Sequence, residues 1–183
     1  MAKNLKRVRI AHKKFENTNF SQVENLKEIH DCYLGDSSFE STHLREVSIK
    51  HSTLKGVNLK KSRLIRSNIR FSNLEESDLT FSSITNSKLH RSNFKSTALQ
   101  CATLKNSIIN ETSFAKSDLR WSNLSDSILQ RSDFSGADFR NTNLKNAKVI
   151  DCKFEGATYN FHTILPFSHE KAKQLGMILK EEI

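Results

Sequence analysis

The chain has 183 residues, only 36% of them hydrophobic, a formal net charge of +9 and three cysteines. The length is one domain's worth, the low apolar content excludes a large globular core, and three cysteines so widely spaced exclude a disulfide framework. No stretch approaches membrane-spanning length and the basic N-terminus leads into no apolar run, so a cytoplasmic location is expected.

Residues 1–28 are read as a basic N-terminal cap carrying Lys3, Lys6, Arg7, Arg9, Lys13 and Lys14. Phe15 and Phe20 lie five apart, but Phe20 and Ile29 are nine apart, one short of two such steps, so a bulge or loop around Val23 to Lys27 resets the frame. From Ile29 to Tyr159 every fifth residue is large and apolar, 27 in succession. Of the 26 residues two places before these centres, from Cys32 onward, 14 are Ser, 4 Thr, 4 Ala, 2 Cys (Cys32, Cys152) and 2 Val. A helix would spread a period of five around its whole surface, and one straight strand would throw alternate members onto opposite faces. A coil satisfies every unit if each one forms a side, with its large residue on the axis and its small one in the corner. Sorted at 20-residue spacing, Phe94, Phe114, Phe134 and Phe154 form one inner column, and Ile49, Ile69, Leu89, Ile109, Leu129 and Val149 an aliphatic one. A three-sided coil would need only a different sorting, but here like sorts with like, which supports an all-β, four-sided parallel solenoid over residues 29–161. At about 4.8 Å per coil it would have roughly six to seven coils and a length on the order of 30 Å.

Ser132-Asp133-Phe134-Ser135-Gly136, Ala137-Asp138-Phe139-Arg140-Asn141 and Ser117-Asp118-Leu119-Arg120-Trp121 resemble the units of pentapeptide repeat proteins, whose consensus is roughly Ala-(Asp/Asn)-Leu-x-x. The resemblance implies a right-handed quadrilateral β-helix. Ser replaces Ala at most small positions here, and a buried hydroxyl there needs a backbone partner.

Charge is front-loaded: residues 1–70 hold 15 Lys plus Arg against 7 acids, and the remainder 14 against 13. Lys55, Lys60, Lys61, Arg63, Arg66 and Arg70 all fall at outward positions and are the phosphate-binding candidates. Phe81, Cys101, Trp121, Asn141 and Phe161 share one outward column, and Phe71 is a further outward aromatic. Phe81, Trp121 and Phe161 are the partner-binding candidates unless the C-terminal segment covers them. Asp78, Asp118 and Asp138 form a column expected to pair with Arg120 and Arg140.

Residues 162–183 are read as a helical C-terminal cap, with Ser168 as N-cap, Glu170 in the first turn and Gly176 ending the helix. The Leu-Pro-Phe-Ser ending, helix and Gly-Met also resemble the tail of many pentapeptide repeat proteins, and the apolar Met177-Ile178-Leu179 is expected to offer a homodimer surface. Seven histidines show no metal-ligand spacing, five glycines make no phosphate loop, and the serines belong to the repeat. The expectation is a non-enzymatic, cofactor-free scaffold that binds a protein partner, with nucleic-acid or anionic-surface binding through the basic coils as the alternative. Resemblance to the quinolone-resistance members, which imitate DNA and bind gyrase, is a weaker third reading, because imitation of DNA needs an acidic surface and the chain carries +9.

Overall fold

The computed structural model describes residues 7–181. Each five-residue unit runs extended through its apolar centre and then turns, because the residue two places after the centre is left-handed. From Asp31 to Asp151 the non-glycine members of this series have φ between 47° and 61°, and Gly56 and Gly136 take the same turn. An L-residue there costs about 1–2 kcal/mol. Hydrogen bonds between coils offset it: the corner amides of Lys61, Phe81 and Cys101 donate to Thr80, Gln100 and Arg120 of the next coil at 2.9–3.0 Å.

Four corners close a square every 20 residues. On the first side the strands β1 (Val8–Ala11), β2 (Leu26–His30), β3 (Ser48–Lys50), β4 (Asn68–Arg70), β5 (Lys88–His90), β6 (Ile108–Asn110), β7 (Ile128–Gln130) and β8 (Lys148–Ile150) form one parallel sheet in chain order. Ile49 lies on Ile29, Ile69 on Ile49, and so on to Val149 on Leu129. The other three sides are ladders of single parallel bridges, Tyr33–Thr53–Asn73, Ser38–Asn58–Asp78 and His43–Arg63–Ser83 among them. The axis is dry: Phe94, Phe114 and Phe134 are fully buried, and their rings stack at 4.9 and 5.4 Å. The Asx residues before many centres cap the turns, as where the Asp118 and Asp138 carboxylates accept from the Arg120 and Arg140 amides at 3.1 Å.

The solenoid has about nine turns rather than six to seven, because both flanks join the ladder. Before Ile29, β1 pairs with β2, Arg9 on Glu28 and Ile10 on Ile29, so the first coil takes 19 residues; the step from Val8–Leu26 to Arg9–Glu28 leaves Lys27 bulged out. Phe20 stacks on Phe39 at 4.7 Å. Residues 8–28 are thus a coil of the same helix; Lys3 and Lys6 lie outside the described residues. After the last full coil, Ile164 pairs with Asn143 at a spacing of 21, one residue more than the repeat. Helix α1 (His169–Gln174) then replaces two sides, with the Ser168 hydroxyl accepting from the Lys171 amide. Gly176, at φ 76°, ends it, and a Cβ there would collide with Glu155. The chain returns as β10 (Ile178–Leu179), parallel to β9 (Thr158–Tyr159). Among the described residues no helix is long and apolar enough to cross a membrane.

Candidate partner-binding surface

The corner between the third and fourth sides carries Phe81, Cys101, Trp121 and Asn141 in left-handed positions, with Phe161 continuing the column. Phe81, Trp121 and Phe161 are 57%, 54% and 70% exposed. Two coils separate each from the next, about 10 Å. The corner turns these side chains outward, and bulky aromatics are among the costlier occupants of such a φ, where Asn or Gly would be cheaper. The C-terminal segment passes over the end of the rod and leaves the stripe open; His169 of α1 approaches Phe161 only ring to ring, at 6.2 Å.

Beside the stripe, the third side holds Asp118 and Asp138 paired with the arginines as expected, whereas Asp78 makes no ion pair among the described residues and accepts from the Thr80 amide at 2.9 Å. Arg120 meets Asp118 at 2.6 Å and Asp138 at 3.8 Å, Arg140 meets Asp138 at 2.7 Å, and the Gln100 amide donates to Asp118 at 2.7 Å. Burial pushes the Asp138 carboxyl up, but the Arg140 guanidinium and amide outweigh it and hold it below the ordinary carboxylate range. The Arg120 guanidinium lies 5.3 Å from the Trp121 ring, which fixes a cation at the edge of the aromatic surface. On the fourth side, the outward residues nearest the stripe, Ser83, Thr103, Asn123 and Asn143, are uncharged, and Lys105 and Lys145 stand in the next column with Thr85 and Ser125.

The six basic candidates do not form one patch. They occupy a single coil and circle it: Lys55 on the second side, Lys60 on the third, Lys61 at the next corner, Arg63 on the fourth, Arg66 at the following corner and Arg70 on the first. Neighbouring coils engage two of them, Lys55 with Glu76 at 3.2 Å and Arg66 with Glu46 at 4.0 Å, while Arg70 donates to Asn68 at 2.9 Å. Glu76 holds the Lys55 ammonium above the ordinary lysine range through its hydrogen bond and its charge.

An axial arrangement that the linear reading missed lies on the first side. His30, Lys50, Arg70 and His90 stack in register, and at the adjoining corner His51 stacks flat on Phe71 at 5.0 Å, with Arg91 6.0 Å from the same ring. Arg91 also bonds Glu111 at 2.6 Å and draws its carboxyl below the ordinary range. Farther along, the outward positions turn apolar at Ile108, Ile128 and Ile150. Sorting the outward residues at 20-residue spacing, as was done for the inward ones, would have shown both. Near the start of the rod, His12, His30 and Asp31 come together although nothing in their sequence spacing marks them as a group.

A family model for pentapeptide repeats, in 8 copies, matches residues 42–80, 62–99, 87–126 and 117–156. The chain belongs to the pentapeptide repeat family. No curated protein matches it. Among solved pentapeptide repeat and related structures, QnrB1, a plasmid-mediated fluoroquinolone resistance protein, is 13% identical over 92% of this chain and 97% of its own, with a TM-score of 0.49. HetL, a pentapeptide repeat protein involved in heterocyst differentiation regulation in the cyanobacterium Nostoc sp. strain PCC 7120, is 19% identical over 84% of this chain and 85% of its own, with a TM-score of 0.30. A second Nostoc pentapeptide repeat protein, alr5209, is 25% identical over 61% of this chain and 84% of its own, with a TM-score of 0.37.

Proposed function

We propose that this pentapeptide repeat protein is a non-enzymatic, rigid scaffold that binds a protein partner along the corner of Phe81, Trp121 and Phe161. The observation that carries the reading is the exposure of three large aromatics on one edge of a fixed rod, two of them, Phe81 and Trp121, in left-handed positions that the backbone makes costly for them. Protein interfaces are enriched in Trp, Phe and Arg and depleted of charge at the centre, and this corner has that composition. The outer edge of β10, unpaired among the described residues and with Ile178 and Leu179 exposed, is where a second copy would pair. Three unpaired cysteines accord with a cytoplasmic setting. Paired acids beside the stripe and a net charge of +9 speak against imitation of DNA.

Trp121→Ala tests the reading. Its stability should stay within about 0.5 kcal/mol of wild type, as for an exposed side chain. Capture of a partner by the immobilised protein should weaken roughly thirtyfold, the loss of a binding hot spot. Capture unchanged in Trp121→Ala and in Phe161→Ala would overturn it, and a large drop in melting temperature would make Trp121 a structural contact instead.

The basic column on the first side favours a second reading, nucleic-acid or anionic-surface binding through Lys50, Arg70 and Arg91 with Phe71 between them. Fluorescence anisotropy with labelled duplex DNA and single-stranded RNA separates the two, since phosphate binding falls steeply with salt. Binding that persists at physiological salt and is lost in Arg70→Gln would move this face ahead of the aromatic corner.

A further inference from the structure

The first coil is one residue short, and that shortening has a local chemical result. It places His12, in a left-handed corner at φ 53°, beside the corner of the next coil, where Asp31 has φ 51°. The His12 amide donates to the His30 carbonyl at 3.0 Å, so the backbone ladder fixes the two corners against each other. His12 Nδ1 lies 3.5 Å and His30 Nε2 3.2 Å from the same carboxylate oxygen, Asp31 Oδ2, and one ligand atom from each of the three residues falls within 4.8 Å of the others. Four ligands at zinc's bond lengths of 2.0–2.1 Å define a tetrahedron with edges of about 3.3–3.4 Å. The two separations from Asp31 Oδ2, 3.2 and 3.5 Å, bracket that edge.

We infer that His12, His30 and Asp31 form a site for one divalent transition-metal ion, which ties the terminal coil to the rod. Two imidazoles and one carboxylate suit zinc, nickel, cobalt or copper and do not suit calcium or magnesium, which take oxygen ligands. A water would complete the tetrahedron, since the side chains are half-exposed to open. The neighbouring carboxylate, Glu28, is engaged by Arg9 at 2.6 Å. The ligands come from both coils, so an ion would cross-link them where the ladder is irregular and where β1 is the edge strand among the described residues.

Two imidazoles bonding a carboxylate would give similar distances, and added metal separates the cases. Full-length protein stripped with a chelator is titrated with zinc chloride, with magnesium chloride as control, by isothermal calorimetry near pH 7.5. Expected are one saturable zinc site, no magnesium site, and affinity at least tenfold weaker in His30→Gln and His12→Asn, with His169→Gln unchanged. In the wild type alone, zinc should slow amide exchange across residues 8–25. Asn is tolerated in a left-handed corner, so His12→Asn decides the matter if His30→Gln is misfolded. Absence of a saturable zinc site in the wild type, equal affinity in His12→Asn, or zinc binding that leaves exchange in residues 8–25 untouched would overturn the inference.

Discussion

Ser87 and Ser82 occupy equivalent inward positions on adjacent sides, but their hydroxyls have different surroundings. Ser87 donates to the Leu64 carbonyl at 2.7 Å and accepts from the Ser67 amide at 3.0 Å. Ser62, Ser82 and Ser122 share the column of Thr42, Ala102 and Thr142, and these three hydroxyls are buried without a partner. The threonines of that column do reach carbonyls, Phe39 and Leu119, at 2.6 Å. Ser87→Ala should therefore cost about 1 kcal/mol, whereas Ser82→Ala should be neutral or stabilise by up to about 1 kcal/mol, since it removes an unsatisfied group; paired urea melts give both values. Asp138 makes a residue-scale prediction in pH. Its carboxyl is held below the unfolded value by Arg140, so the pair stabilises the fold at neutral pH and loses that contribution as pH falls from about 4, the ordinary aspartate range, through the lower folded value. The melting temperature of Asp138→Asn should fall less than that of wild type between pH 5 and about pH 2.

At the scale of the element, each side is defined by what stacks along it. Phe114 lies between Phe94 and Phe134 with ring planes inclined by 12° and 10°. Phe114→Ala should cost about 3–5 kcal/mol. Phe114→Asp, which places a carboxylate in a dry column, should give no folded protein by circular dichroism; wild-type melting would refute the inward assignment. These columns were legible in the sequence because burial demands one residue class at one spacing. So were Ser168 and Gly176, whose helix-end chemistry is local. The outer surface was less legible, because an outward position accepts almost any side chain. Lys55 to Arg70 is a run in the chain and a ring in space, while His51, Phe71 and Arg91 are scattered in the chain and adjacent in space. The first coil was legible in part: the nine-residue step from Phe20 to Ile29 called for a frame reset around Val23 to Lys27, and the bulge falls at Lys27, but the continuation of the axial columns into Ile10, Phe15 and Phe20 follows only from the 19-residue pairing of β1 with β2.

The molecule as a whole has no closed core, only two ends to protect. At the C-terminal end Phe167 meets Phe154 edge-on, His169 stacks on Tyr159 at 5.6 Å, and β10 occupies the strand edge of β9. Removal of residues 168–183 should expose Phe154 and Tyr159 together with an open ladder, and the truncated protein should elute as higher-order species by size-exclusion chromatography. The square cross-section also ties length to direction. A duplicated block of 20 residues would lengthen the rod by about 4.8 Å and leave every column aligned. Five extra residues inserted between Phe81 and Trp121 would still place an apolar residue at every axial position, though each inner column would change identity there, and they would swing Trp121 and Phe161 a quarter-turn away from Phe81. Evolution can thus re-aim half of this surface against the other half by copying a single unit, at the cost of one junction where the inner columns no longer match.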